Sequence, residues 1–181
     1  MSNTTQLRDH IRRVSKLRLS GEFEFDGFVI DRNRLRETTY ISRGRMTRAI
    51  LALYASRKPR DWSIFHRDVV TDVYFLLSDK PNLHHIFPTD FVQKQNKFSG
   101  IHSDSLMNIA FLAQFTNLKF SNKNPLEYIP DYESVGLDEI LEQHLIAPDL
   151  LSWARAEQLP DEALTQFIDL RVETDIQTLR G

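Results

Sequence analysis

The residue pattern predicts an α+β chain that is mostly helical, with two short strands and a helix at its centre. Apolar residues recur at helical spacing in the first half and again through the tail. Between those regions, residues 82–130 change texture to short apolar runs, Ile86-Phe87 and Ile109-Ala110-Phe111-Leu112, separated by polar loops. One core of ordinary size accommodates 181 residues. We therefore expect one integrated domain, with a helical region over 1–81, a central core over 82–130 and a helical cap over 131–181.

Leu7, Ile11, Val14, Leu17 and Leu19 predict a first helix that begins at Thr4 or Thr5 and stops at Gly21. Phe23, Phe25 and Phe28 surround the Asp26-Gly27 turn signal, so residues 22–30 read as a short strand, a hairpin or a loop. From Arg43 to Arg57, Met46, Ile50, Leu53 and Tyr54 share one face and arginines the other, an amphipathic helix that must end before Pro59. Residues 68–78 are apolar and rich in β-branched and aromatic side chains, so helix and strand compete there until Pro81. In the tail, residues 137–145, 148–157 and 160–179 carry helical patterns, with Pro148 and Pro160 suited to first turns.

A content of 41% hydrophobic and 27% charged residues is that of a soluble globular protein, neither collagen-like nor disordered. The longest apolar runs, such as Ala49 to Ala55, fall far short of the roughly 20 residues a membrane span needs. No membrane partner is expected. The first twenty residues interleave Arg8, Arg12, Arg13, Lys16 and Arg18 with apolar residues and lack the pattern of a secretory signal, so a cytoplasmic location is expected. Without cysteine there is no disulfide framework and no thiolate zinc site, and any metal must be held by His, Asn, Asp or Glu. A net charge of -2 argues against coating nucleic acid by bulk electrostatics, but bases exceed acids over 1–123 and acids exceed bases over 124–181. That asymmetry suits a backbone-contacting front and a solvated helical cap.

The chemistry-bearing residues cluster in the centre. Leu83-His84-His85-Ile86-Phe87-Pro88 is followed by Asn108, then by Asn117-Leu118-Lys119, and then by Asn122-Lys123-Asn124-Pro125-Leu126-Glu127-Tyr128. Adjacent histidines on an extended segment point to opposite faces unless a bend or strand end lets both reach one site. Hydrolysis of a phosphodiester needs a deprotonated water, an in-line approach and a counter-charge for the developing oxyanion. A neutral histidine serves as the base near physiological pH, and a divalent cation supplies the charge.

These elements, in this order, resemble the HNH (ββα-metal) nucleases, and more closely the HNH-like domain at the C-terminal end of DUF262/DUF1524-type proteins of restriction and phage-defence systems. The resemblance covers residues 82–128, with weaker likeness over 42–62, and implies a small ββα-metal hairpin-helix centre. It implies that His84 is a metal ligand and His85 the general base. Asn108 matches the middle asparagine that pins the loop, and Asn117, nine residues later, matches the last metal-ligand position. Lys119 and Lys123 fall where the family carries basic residues near the phosphate. The implied activity is metal-dependent DNA cleavage. One imidazole and one neutral amide favour Mg²⁺ with several waters, or Mn²⁺, over tightly held zinc. In this family the nuclease domain is coupled to a nucleotide-dependent module. No Walker-type glycine loop occurs in this chain, so a separate DUF262-type recognition subunit is an expected partner beside DNA.

Each residue also has a plainer reading. A His-His pair is ordinarily one exposed and one core histidine, Asn108 a turn or cap, and Lys119 and Lys123 solvated charges. Arg57, Lys58 and Arg60 follow a predicted helix and suit a DNA backbone, yet helix C-termini attract cations for dipole reasons. His66, His102 and His144 have no partner pattern, and Trp62 and Trp153 read as packing residues. Asp104 fits either a carboxylate behind the site or a cap for the turn before Ser105. Taken together, the plainer readings describe a non-catalytic DNA-binding or protein-interaction module that keeps the HNH shape.

Overall fold

The structure, a computed structural model, describes residues 31–62, 68–70, 81–94 and 101–180. The expected first helix, the 22–30 segment, most of 68–78 and His66 lie outside the described residues.

Asp31 accepts the Arg34 N–H at 3.0 Å and starts helix α1, Arg32–Glu37, by satisfying a first-turn amide. Helix α2, Arg45–Ser56, buries Ile50 and Tyr54, two of the four residues expected on its apolar face. It is slightly shorter than the Arg43–Arg57 pattern because Gly44 closes a turn onto the Ile41 carbonyl and becomes the cap. At its other end the chain turns through Lys58, at φ 51°, into Pro59.

Two strands form an antiparallel pair, β1 (Pro81–His85) and β2 (Ile109–Ala113), with His84 opposite Ala110 and His85 opposite Ile109. Between them lie helix α3 (Thr89–Lys94) and a 3-10 turn, Leu106–Asn108, that leads straight into β2. Helix α4 (Gln114–Phe120) follows β2 without a loop, and α5 (Pro125–Tyr128) follows α4 with Pro125 in its first turn and Asn124 as its cap. Among the described residues the architecture is thus mixed α+β and mostly helical, with one small two-stranded sheet.

The tail supplies a 3-10 turn (Pro130–Val135) and helices α6 (Leu137–Gln143), α7 (Asp149–Arg155) and α8 (Ala163–Arg180). Helix α6 starts at Leu137 as its pattern places it, whereas Pro148 caps α7 from just outside its first turn, and α8 begins at Ala163, three residues beyond Pro160, whose carbonyl accepts the Ala163 N–H at 3.1 Å. Helix α8 lies along α1 and the Leu106–Asn108 turn and buries Leu164, Phe167, Ile168 and Val172. Burial of four such side chains removes enough apolar surface to stabilise the contact by several kcal/mol, at roughly 1.5–3 kcal/mol each. Trp62 is fully buried and leans on Phe120 and Tyr128, with ring centroids 5.5 and 6.2 Å away, while Trp153 is half-buried. Among the described residues no helix is long and apolar enough to cross a membrane.

Candidate functional site

Strand alternation sends His84 inward and His85 outward. His84 is 3% exposed and meets the rings of Phe120 and Tyr128 at steep angles, with centroids 5.1 and 5.9 Å away. His85 is half-buried. Because β1 ends at His85 and the chain bends at Ile86-Phe87, both histidines nevertheless line one cavity of about 290 Å³, together with Asn117, Ser121 and Asn122. Three residues separated by up to two thirds of the central segment, His84, His85 and Asn117, thus meet at one small polar hollow.

His84 Nδ1 lies 2.7 Å from Asn117 Oδ1. Burial lowers the pKa of His84 to about 4, outweighing the upward pull of the Asn117 hydrogen bond, and the neighbouring His85 adds to the decrease. The ring is therefore neutral at physiological pH, the form that ligates metals. With its single proton on Nδ1, His84 donates to Asn117; with the proton on Nε2, among the aromatic rings, the Nδ1 lone pair is free to ligate. Two adjacent ligands on an octahedral Mg²⁺ sit about 3 Å apart, so the spacing of Nδ1 and Oδ1 fits a cation held by that pair. Among the described residues no cluster of three or more His, Asp or Glu side chains converges, so such a cation would keep most of its waters.

Asn108 is fully buried behind the cavity. Its Oδ1 accepts the Phe87 N–H at 2.9 Å, and its Nδ2 donates to the carbonyls of Phe87 at 2.9 Å and Ser103 at 2.7 Å. Its own carbonyl accepts the Ile86 N–H at 2.9 Å. The asparagine therefore stitches the residues just after His85 to the loop that precedes β2.

Further side chains complete the frame, among them Asp104, which the sequence offers either as a carboxylate behind the site or as a turn cap. Buried Asp61 accepts the Ala113 N–H at 2.7 Å and the Thr116 hydroxyl at 2.6 Å, fixing the first turn of α4 and hence the angle at which Asn117 leaves it. The Tyr128 hydroxyl donates to the Ile86 carbonyl at 2.6 Å, and burial raises its pKa far beyond the working range. Arg171, 1% exposed on α8, donates through one nitrogen to the carbonyls of Met107 and Ile109 at 2.9 and 2.7 Å and through the other to the His144 carbonyl at 2.9 Å. Its guanidinium lies over the Tyr54 ring, 4.2 Å from the centroid, and Tyr54 donates to Asp175 at 3.0 Å. Asp104, finally, approaches His85 from outside the cavity, Oδ1 lying 3.2 Å from Nε2.

A sequence signal existed for three more of these. Arg171 and Asp175 interrupt the apolar stripe Leu164, Phe167, Ile168, Val172, Ile176 at helical spacing, and charges on a buried stripe demand partners. Asp61 ends the Pro59-Arg60-Asp61 turn that carried the weaker family likeness.

The basic residues distribute unevenly. Lys119 is exposed on α4, and Lys123 lines a neighbouring cleft that shares Ser121 and Asn122 with the histidine cavity. Arg57 instead lines a separate cavity of about 520 Å³ beside Asp138, Glu139 and Glu142, and Lys58 is exposed at the α2 terminus. Arg60 directs Nε to Gln143 at 3.0 Å and its terminal nitrogen to Glu139 at 3.6 Å. His102 is exposed, whereas His144 is buried and reaches the Arg60 carbonyl at 2.8 Å, a structural role.

Comparison of the chain with protein-family profiles, with curated proteins and with solved structures gives no match. The functional reading therefore stands on the residues themselves and on their geometry.

Proposed function

We infer that the chain is a metal-dependent DNA endonuclease of HNH type. The observation that carries this reading is the meeting of His84, His85 and Asn117 at one cavity, with Asn108 bracing the bend beside them. In this reading His84 and Asn117 hold a divalent cation, Mg²⁺ or Mn²⁺. Bound there, the cation supplies positive charge to the scissile phosphate and its leaving 3′ oxygen.

The remaining work belongs to the side chains. His85, half-buried at the cavity wall, accepts a proton from water as that water attacks phosphorus, while Asn108 keeps the backbone after His85 from shifting. Lys119 and Lys123 provide phosphate contacts outside the cavity, and Arg57, Lys58 and Arg60 are assigned to more distant backbone contact. Restriction or phage defence alongside a DUF262-type recognition subunit is the setting this assignment fits.

The test is a plasmid-nicking assay with Mg²⁺. His85→Ala abolishes nicking while leaving the circular dichroism spectrum and melting temperature unchanged. Undiminished nicking by that variant removes His85 from the mechanism and the reading with it.

A further inference from the structure

We propose that Asp104 is a positioning residue for His85, holding the ring in the Nε2–H tautomer so that the Nδ1 lone pair faces the cavity. The proposal rests on the assignment of His85 as the base. It begins from an asymmetry between the two ring nitrogens. His85 Nε2 is closed off from solvent and lies 3.2 Å from Asp104 Oδ1. His85 itself lines the cavity, whereas Asp104 does not. The carboxylate thus meets the ring without itself lining the space where water and phosphate would sit.

An ionised carboxylate only accepts hydrogen bonds, so the bond Asp104 forms once it turns into line with Nε2 requires the proton on that nitrogen. The other nitrogen then keeps its lone pair. When His85 takes a proton from water, the imidazolium carries protons on both nitrogens and Asp104 stabilises its charge without being protonated itself. The contact is off-axis for a linear N–H···O bond, and Asp104, 59% exposed, has room to rotate into line.

Asp104 is also held where this role requires it. Its carbonyl accepts the Tyr40 N–H at 2.8 Å, Leu106 N–H donates to Thr38, and Ser105 bridges to Thr39. On the other side Asn108 grips the Ser103 carbonyl with the same amide nitrogen that grips Phe87. One asparagine therefore fixes the residue before Asp104 and the residue two after His85, and so fixes the gap between acid and base. The turn before Ser105, which Asp104 is the alternative candidate to cap, is closed by the Ser105 N–H on the His102 carbonyl at 3.0 Å, and Ser105 Oγ caps the turn that follows by accepting the Met107 N–H at 3.2 Å.

The experiment is long-range ¹⁵N–¹H correlation of the histidine rings in the full-length, metal-free protein at about pH 8, where an ordinary histidine is neutral. In the native protein the His85 signals, assigned by their loss in His85→Ala, report the Nε2–H tautomer. Asp104→Ala shifts them to a mixture of tautomers, and Asp104→Glu restores the native pattern. In nicking assays Asp104→Ala lowers kcat by about tenfold or more with KM held within about twofold, because ground-state DNA contacts are untouched. Unchanged His85 signals in Asp104→Ala overturn the proposal. A tautomer shift in a protein that never cleaves DNA refutes the nuclease reading and leaves the hold of Asp104 on the ring standing.

Discussion

Asn108 holds Phe87 by both of its backbone polar groups, accepting the N–H and donating to the carbonyl at 2.9 Å each. Such a two-sided clasp imitates one rung of a strand ladder and extends the β1–β2 pairing past the point where the backbone itself stops. Asn108→Ala removes the side chain that bonds the buried Phe87 N–H and the Phe87 and Ser103 carbonyls. At about 1–3 kcal/mol for a strongly desolvated group, with carbonyls at the low end, the expected loss is about 3 kcal/mol. Urea denaturation measures it. An unchanged midpoint would show that the clasp contributes nothing.

The metal pair makes a second prediction, read by calorimetry with Mn²⁺ on the metal-free protein. His84→Ala and Asn117→Ala each abolish or weaken binding by at least about tenfold, since either leaves a single protein ligand. Asn117→Asp strengthens it, because a carboxylate adds charge at the same Oδ position. Asp61→Ala weakens it by about tenfold without touching the ion, by loosening the first turn of α4. Equal affinities across these four variants would place any cation elsewhere.

How much of this was legible beforehand differs by residue. His84, His85, Asn108 and Asn117 stand out because their types and order carry chemistry, and the end of β1 at His85 resolves the question of opposite faces. The tail helices were legible because their apolar spacing and prolines are local signals. The partners of the bracing groups were not, for a physical reason: Arg171, Tyr128 and Asp61 act on backbone N–H and C=O groups 27 to 64 residues away, and every residue offers those groups alike. Only folding reveals which carbonyl a guanidinium reaches. The destination of Arg60, half-buried against Gln143 and Glu139, was hidden in the same way.

Arg171 gives a third prediction. Its guanidinium serves the carbonyls on either side of Asn108, so it sets the turn from which the Asn108 amide projects. Arg171→Met keeps much of the volume but leaves those carbonyls unpaired and Asp175 buried without its cation. The expected loss is about 3–5 kcal/mol. Arg171→Lys recovers little of it, since one ammonium cannot span the Met107, Ile109 and His144 carbonyls as the planar fork does. Asp175→Asn combined with Arg171→Met recovers part of the loss by removing the stranded charge, and chemical denaturation of the single and double variants measures the coupling.

Two buried groups beside this network, His144 and Asp175, contribute to the pH dependence of stability in addition to buried His84. Burial lowers the pKa of His144 to about 4, against the hydrogen bond to the Arg60 carbonyl, with Arg171 adding to the decrease and Asp61 opposing it. Its ordinary value is 6.5, so between these limits the unfolded chain binds the proton more readily, and stability falls as pH drops from 6.5 towards 4. Asp175 runs the other way. Burial raises it from 3.8 to about 6, opposed by Arg171 and by the Tyr54 hydrogen bond, so the folded state gains stability as pH falls through that window. These two contributions nearly offset each other, leaving that of His84, which also loses stability as pH drops from 6.5 towards 4. His144→Gln removes only the first, and at about 1.4 kcal/mol per pH unit its stability relative to the native protein rises by roughly 3 kcal/mol between pH 7 and pH 4. Asp175→Asn shifts the balance in the opposite sense, losing stability relative to the native protein over the same range. Guanidinium unfolding at a series of pH values reads both, and curves that run parallel to the native one for both variants would show that neither group changes its proton affinity on folding.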